Sequence, residues 1–263
     1  MTPEGVDPWL DRARRFVEAR GAPLARLRLA VTLGDAPAAR LRDAVAWRPE
    51  SGVGGALAAF ATLEGREGLH GPAVERAVAW LEEAQDPDGS WSAARAADEA
   101  QRIAVTGLLA GFLEKTSCAR AALFGRAGRF LAARWSPERV QGDFGVLAGY
   151  AHFFANGSHE LADAGLQWCG RELERGVRGG RLRAWQAGRV LALCGAAALP
   201  GSRLEAREVA LAMLGEQGPD GGWLSPATDA AVRVAVTVDA VAALARLGAA
   251  PLAATRSRAQ GIG

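Results

Sequence analysis

The sequence predicts an all-α protein in which about six helical hairpins close into an α/α toroid. Three observations lead to this prediction. Apolar residues recur at helical spacing along the 263-residue chain, and almost no stretch alternates with the period of a strand. Nearly apolar helices alternate with amphipathic ones. A phrase ending in Trp91 returns at Trp223, 132 residues later, which is three times 44 and indicates a repeat of about 44 residues.

The first hairpin shows how the helices are predicted. In 7–20, Trp9, Phe16 and Val17 share one face, and Gly21 ends the helix just before a second one. Two helices joined by so short a turn form an antiparallel hairpin. In chain order, the predicted helices are 7–20 and 23–33, 37–46 and 53–64, 72–85 and 98–114, 117–134 and 144–155, 160–176 and 184–198, and 202–216 and 229–247.

The two helices of each hairpin differ in polarity. Second helices such as IAVTGLLAGFL and VAVTVDAVAALARL carry almost no charge, whereas first helices such as ERAVAWLEEA have a polar face. A helix that is apolar all round is buried on all sides, while an amphipathic helix can face water. We therefore expect an inner and an outer ring in a single domain over 1–263. The N-terminal hairpin is expected at 1–36, the repeats at 37–247 and a tail at 248–263.

The repeated phrase reads QDPDGSW at 85–91 and QGPDGGW at 217–223. Asp-Gly predicts a tight turn with glycine at positive φ. We expect the tryptophan ring to stack on neighbouring structure and the glutamine amide to bond helix-end groups. The phrase would thus tie one hairpin to the next, with degraded copies at 141–144 and 179–180.

These two phrases, each following an outer-helix WL or ML and preceding VTGLLA or VTVDAVAAL, resemble the QW repeats of the terpenoid cyclase and protein prenyltransferase superfamily. Squalene–hopene cyclases are the clearest members. The resemblance covers about 37–247 and implies an α/α barrel whose cavity commonly holds an isoprenoid chain. The sequence lacks the DxDD acid motif, the Asp-x-Cys zinc setting, a CGEQ thioester and an adjoining Cys-His pair, which belong to the familiar chemistries of such barrels.

Composition limits the partners. Three cysteines, an odd number without CxxC spacing, favour a reduced, cytoplasmic setting. A net charge of +2 with scattered arginines argues against nucleic acid. We expect no transmembrane segment, because charges interrupt every apolar run. We expect no leader, because the opening residues MTPEGVDPWLDRARRF are acidic and then amphipathic. The three dispersed histidines predict no metal site, and no cofactor is expected. The oligomeric state is left open.

Three arginines occupy nearly the same phase of the repeat, in the first turns of inner helices: Arg102, Arg189 and Arg233. In a toroid this phase places them at one rim, where guanidinium groups and helix N-termini bind a diphosphate or a carboxylate. The alternative is that Arg102 pairs with Asp98, and Arg233 with Asp229, at i,i+4 spacing to brace the loops.

Acids lie at the same rim, namely Asp98, Glu99, Asp143 and Asp229. An acid that protonates an alkene must be kept neutral by burial or by a like-charged neighbour, and Asp98 with Glu99 would supply such a neighbour. Asp143 and Asp229 are candidates for binding the substrate. The alternative for these acids is helix N-capping.

Two further candidate groups lie within inner helices. Asp239 stands in an apolar helix, so it is paired, neutral or facing a cavity, and it is the best single candidate for the acid. A partner such as Arg207, or another basic group of an outer helix, would make it structural. Tyr150, the only tyrosine, and His152 would stabilise a carbocation or remove its proton, beside Phe154. Aromatic core packing is the alternative, and Trp185 is expected to shape the cavity.

Two classes of function remain. The first is an atypical terpene-cyclase-like or prenyl-substrate-processing enzyme of specialised metabolism, whose cavity holds a hydrophobic, isoprenoid-like molecule with an anionic head group. The second is a non-catalytic toroid that binds a hydrophobic ligand or a peptide or protein partner.

Overall fold

The computed structural model describes residues 8–64, 69–224 and 229–248, and its regular elements are helical apart from two isolated β-bridges. The all-α prediction is confirmed. None of the described helices combines the length and the apolar character needed to cross a membrane. The α-helices in chain order are α1 (Pro8–Arg20), α2 (Pro23–Thr32), α3 (Ala38–Ala44), α4 (Gly52–Leu63), α5 (Pro72–Glu83), α6 (Glu99–Glu114), α7 (Ala121–Ala133), α8 (Phe144–Asn156), α9 (Ala162–Arg178), α10 (Ala184–Cys194), α11 (Ala206–Gly215) and α12 (Ala230–Arg246). Residues 249–263 of the predicted tail lie outside the described part.

Most helix ends lie close to their predicted positions, but three differ. Helix α7 starts later than predicted, at Ala121. Helix α10 ends at Cys194 because Gly195 takes φ 62° and the Ala196 N–H returns to the Leu191 carbonyl oxygen at 3.0 Å. Helix α11 starts only at Ala206. Local apolar spacing predicted the body of these helices and overlooked the chain reversals beside them.

The chain folds as two compact units. The middle unit holds the described residues of 42–182 and 198–203, and the terminal unit holds the others. In the middle unit, α6 packs between α4 and α8. Helix α5 packs against α4, α7 against α6 and α9 against α8. In the terminal unit, α12 packs against α10 and α2, with α11 and α1 alongside it. Closure of the hairpins into a single toroid stays a prediction.

Helices α6 and α8 pack closely enough for their backbones to touch. A Cβ atom at Gly107 would lie 2.5 Å from the Gly149 carbonyl oxygen, and a Cβ at Gly149 would lie 2.9 Å from the Ala104 carbonyl oxygen. Only glycine allows such an approach. The side chains that these two helices direct toward each other therefore belong to a packed core.

Candidate functional sites

The two copies of the repeated phrase form the same structure, each around a fully buried tryptophan. The indole N–H of Trp91 donates to the Leu81 carbonyl oxygen at 2.9 Å, and that of Trp223 donates to the Met213 carbonyl oxygen at 2.8 Å. Each bond runs back to the helix before the phrase. The tryptophan thereby satisfies a helix-end carbonyl while it buries a large apolar ring.

A threonine on the following helix completes each tryptophan site. The backbone N–H of Trp91 donates to the Thr106 hydroxyl at 3.0 Å, and that of Trp223 donates to the Thr237 hydroxyl at 3.1 Å. Both threonines are fully buried. A buried N–H without a partner is costly, so these hydroxyls fix the linker against the inner helix.

The glutamines connect each phrase to a third helix. Gln85 accepts a short hydrogen bond from Arg126 of α7. Gln217 accepts a hydrogen bond of 2.7 Å from Arg12 of α1. The amide N–H groups of both glutamines donate to carbonyl oxygens within their own turns, at 2.8 and 3.0 Å. The prediction that the phrase ties hairpins together therefore has a geometric basis in each unit.

Glycine is required at one position of each turn, for two reasons. Gly89 and Gly221 have φ of 91° and 92°, in the left-handed region. A Cβ atom at Gly89 would also overlap the carbonyl oxygen of Arg126, and one at Gly221 would overlap that of Arg12. The turn thus lies directly against the backbone of α7 in one unit and of α1 in the other.

Two of the predicted rim arginines bind these turns. Arg102 contacts Asp88 at 2.6 Å, and Arg233 contacts Asp220 at 2.6 Å. The hydrogen bond from Arg233 holds the pKa of Asp220 below its ordinary value. These arginines therefore brace loops, as the alternative interpretation held, but their partners lie in the turn and not one helical turn earlier.

The same guanidinium groups also lie over aromatic rings. The Arg102 guanidinium carbon is 5.3 Å from the ring centre of Phe130 in α7, and that of Arg233 is 4.9 Å from the ring centre of Phe16 in α1. A cation over an aromatic face is attracted by the ring quadrupole. Each arginine thus joins a turn to an adjacent helix.

The third predicted rim arginine has a different partner. Arg189 of α10 forms a short ion pair with Asp239 of α12. The other carboxylate oxygen of Asp239 lies 2.7 Å from Arg28 of α2, as an ion pair without hydrogen-bond alignment. The Asp239 side chain is 14% exposed. The carboxylate therefore joins three helices of the terminal unit. It has basic partners, as the structural alternative required, but they come from the second helices of predicted hairpins and not from an outer helix such as that of Arg207.

Three of the predicted acids cap helices. Asp98, Asp143 and Asp229 accept hydrogen bonds from backbone N–H groups in the first turns of α6, α8 and α12, at 2.8, 3.0 and 2.7 Å. Asp98 also takes part in a reciprocal capping box with Gln101. The oxygens of these three side chains are thus bonded to backbone N–H groups at helix starts, as the N-capping alternative held.

Glu99 lies next to Asp98 but forms ion pairs of its own. It accepts a short hydrogen bond from Arg139 and lies 3.2 Å from Arg134. The hydrogen bond from Arg139 lowers the pKa of the exposed Glu99 carboxyl below its ordinary value. A proton donor to an alkene needs the opposite shift.

The predicted aromatic pair is buried in the core of the middle unit. Tyr150 donates its hydroxyl to the Leu131 carbonyl oxygen at 3.1 Å and stacks on Phe154 with 5.7 Å between ring centres. Burial raises the pKa of the Tyr150 phenol. His152 meets Phe112 edge to face at 4.5 Å, and both Tyr150 and His152 have no exposed surface. These contacts match the core-packing alternative.

Trp185 lies at the start of α10 in the terminal unit and is buried. Its backbone N–H and that of Ala184 donate to the two carboxylate oxygens of Glu216, at 3.1 and 2.8 Å. Glu216, which the sequence did not single out, thus caps α10 from the end of α11. A carboxylate at a helix N-terminus is favoured by the exposed N–H groups and by the helix dipole.

An open groove of about 790 Å³ lies in the middle unit beside the first repeated phrase, and it is here called the linker groove. Trp80 of α5 forms part of its wall and packs on Trp47 with 5.4 Å between ring centres. Asp86, Arg95 and Arg102 also line the groove. Of the predicted site residues, Arg102 alone is among its lining residues.

A second cavity, here called the α7/α8 pocket, measures about 570 Å³. Glu114 lies in its wall at the end of α6, together with His159 from the loop after α8. Neither Glu114 nor His159 is among the site residues predicted from the sequence. The one available signal was that Glu114 is the first charged side chain after the apolar run of α6.

The predicted site residues fall into the two units. Asp98, Glu99, Arg102, Asp143, Tyr150, His152 and Phe154 belong to the middle unit, and Trp185, Arg189, Asp229, Arg233 and Asp239 to the terminal unit. Within the described part of the chain, no three histidine, cysteine, aspartate or glutamate side chains are grouped to hold a metal ion.

No protein-family model matches this chain, and no curated protein or solved structure is significantly similar to it. The relation to the terpenoid cyclase superfamily therefore stays a prediction.

Proposed function

We propose that this chain is a non-catalytic α/α toroid that binds a short peptide segment in the linker groove. The observation that carries the proposal is the groove itself, an open depression of about 790 Å³ with Trp80 in its wall. Large aromatic side chains dominate the binding energy of protein interfaces because they bury much apolar surface and lose little conformational freedom.

The shape and lining of the groove favour a peptide over an isoprenoid chain. Sites for small hydrophobic molecules enclose most of the ligand and are predominantly apolar. The linker groove is open and includes Asp86, Arg95 and Arg102 beside Trp80. A peptide offers backbone hydrogen bonds for such polar groups and a side chain for the aromatic wall.

One side of the groove is held rigid. Asp88 is fixed by Arg102, and the Ser90 hydroxyl donates to Asp88 at 2.8 Å. The turn is anchored through the buried ring of Trp91. A preformed site loses less conformational entropy on binding, which favours affinity.

The bonding of the predicted acids supports a binding role over a catalytic one. Asp98, Asp143 and Asp229 cap helices, while Glu99 and Asp239 are held by arginines. Each of these side chains is therefore already bonded within the fold. The isoprenoid-processing enzyme stays a prediction, and it would require an acid that is free to contact the substrate.

A peptide-display experiment tests the proposal. Random heptapeptides selected on the full chain should converge on a motif, and anisotropy of the labelled peptides should show saturable binding. Because Trp80 forms the wall, Trp80→Ala should weaken binding on the order of tenfold or more. Trp168→Ala, a partly exposed tryptophan in α9, is the matched control and should leave affinity unchanged.

A charge variant guards against loss of folding in Trp80→Ala. Arg95 is exposed, so Arg95→Glu should change the affinity for the peptide without changing the melting temperature. Arg120→Glu, which lies outside the groove lining, should leave the affinity unchanged. Failure to enrich any motif, or equal affinity in the groove variants, would overturn the proposal. If the wild-type chain converts farnesyl diphosphate or squalene, the binding proposal is wrong and the isoprenoid-processing enzyme is the correct function.

A further inference from the structure

The α7/α8 pocket contains a carboxylate that lacks the kind of partners that the predicted site acids have. Glu114 is half-buried, and none of the described residues gives it a hydrogen bond or an ion pair. One of its carboxylate oxygens lies 3.6 Å from where a Cβ would stand at Gly157, which places the charged end at the pocket wall. A partly desolvated carboxylate gains more from a cationic ligand than an exposed one does.

Aromatic rings form another part of this wall. Phe124 of α7 and Phe153 of α8 both line the pocket. The Phe153 ring lies 5.6 Å from His159, between ring centres. Aromatic faces attract ammonium groups and also accept apolar side chains.

His159 presents a defined donor. Its Nδ1 accepts the Leu161 backbone N–H at 3.1 Å. The neutral ring therefore carries its proton on Nε2, which lies 4.0 Å from where a Cβ would stand at Gly128 in the pocket wall. This N–H is suited to an oxygen acceptor of a ligand.

The remaining charged group of the pocket is positive. Arg129 of α7 is exposed and forms none of the described hydrogen bonds or ion pairs. A guanidinium group binds a carboxylate through paired N–H donors. The pocket thus offers one negative group, one positive group and apolar rings in a volume of about 570 Å³, within the usual range for small ligands.

We infer that the α7/α8 pocket binds a free α-amino acid with an apolar side chain. Glu114 receives the ammonium group, Arg129 and the His159 N–H receive the carboxylate, and the side chain packs against Phe124 and Phe153. This site lies outside the linker groove and does not depend on the peptide proposal.

Three matched compounds test the assignment by isothermal titration calorimetry with the full chain. L-phenylalanine should bind saturably, with a dissociation constant of about 1 mM or tighter. Phenethylamine, which lacks the carboxylate, and hydrocinnamate, which lacks the amine, should each bind more weakly, on the order of tenfold. Equal binding of hydrocinnamate, or the absence of saturable heat from L-phenylalanine, L-leucine and L-tryptophan, would overturn the inference.

Near-isosteric variants assign each charge. Glu114→Gln should weaken L-phenylalanine and phenethylamine but leave hydrocinnamate unchanged. Arg129→Gln should weaken L-phenylalanine and hydrocinnamate but leave phenethylamine unchanged. Glu160→Gln, an exposed acid outside the pocket lining, is the control. The same loss for all three compounds in both charge variants, with melting temperatures unchanged, would refute the assignment of the two charges.

The pH dependence adds an independent readout. Burial raises the pKa of Glu114, so its carboxylate is protonated at a higher pH than an exposed glutamate. Amine binding should decline as the pH falls through that raised pKa, and the decline should be absent in Glu114→Gln. Arg129 and His159 also line the pocket, so His159→Gln and Arg129→Gln should both retain the decline. A decline that is unchanged in Glu114→Gln contradicts the role of this carboxylate.

Discussion

Replacing Asp239 by Asn distinguishes a structural carboxylate from a catalytic acid. Asp239 lies between Arg28 and Arg189 of two neighbouring helices. The neutral amide keeps the volume of the carboxylate but removes the negative charge that both guanidinium groups contact. We therefore expect a large loss of stability, while an acid facing a ligand would lose activity and keep its stability.

The structure sets the size of this effect. Removing one partner of a buried ion pair costs about 3–5 kcal/mol. The side chains of Asp239, Arg28 and Arg189 are 14%, 17% and 26% exposed, so water partly screens them. We therefore expect about 2–3 kcal/mol for Asp239→Asn, which lowers the melting temperature by roughly 4–12 °C in a chain of this size.

Urea denaturation followed by circular dichroism measures the change, with Asp163→Asn as the control. Asp163 is exposed in α9, and its replacement should change stability by less than about 0.5 kcal/mol. The triple variant Asp239→Leu, Arg28→Met and Arg189→Met removes all the charges together and should recover most of the loss. If Asp239→Asn is as stable as the control, the three-helix ion pair does not hold the terminal unit together.

Three further outcomes follow from the same contacts. Gly89→Ala should cost about 2–4 kcal/mol in denaturation, because it combines positive φ with backbone overlap, whereas Gly142→Ala, with φ of 85° and open space around it, should cost only about 1 kcal/mol. Glu172 is 2% exposed and bonded to two arginines, so Glu172→Gln should lower the melting temperature. The lowered pKa of Asp220 stabilises the fold above the pKa of the unfolded chain, and this contribution is lost as the pH falls through the folded pKa; Asp220→Asn should reduce the acid loss of stability, and the pH dependence of melting temperature in both proteins checks this. The first expectation is contradicted if Gly89→Ala is as stable as Gly142→Ala, and the second if Glu172→Gln has an unchanged melting temperature. The third is contradicted if Asp220→Asn loses as much melting temperature at low pH as the wild-type chain.

The sequence predicted the helices well because their signals are local. Apolar spacing, glycine and capping acids act within a few residues, so α6 and α12 lie almost where the pattern places them. Partners distant in sequence were not accessible in this way. Arg102 was paired with the acid four positions before it, but the turn folds back and brings Asp88 to the guanidinium. Asp98 instead caps the start of α6, where it accepts a hydrogen bond from the backbone N–H of Gln101.

The binding candidates were less predictable for the same reason. Glu114 and His159 lie on different elements, and no spacing rule connects the end of one helix with the loop after another. The sequence shows that α8 is rich in aromatic residues, but it does not show whether their side chains face a cavity or the packed core. The glycine contacts of α6 with α8, such as Gly107 against Gly149, place Tyr150 and His152 in packed core.

Each copy of the repeated phrase is contacted by a helix that packs over it. In the middle unit that helix is α7, whose Arg126 and Phe130 meet the glutamine and the arginine of the first copy. In the terminal unit the same contacts come from α1, through Arg12 and Phe16. The N-terminal helix therefore takes the place of the helix that would follow α12. A search for repeats along the chain cannot detect this equivalence, since the last repeat is completed by the first helix. The two copies of the phrase thus make the same contacts through their glutamine, aspartate, glycine and tryptophan, which accounts for their similarity.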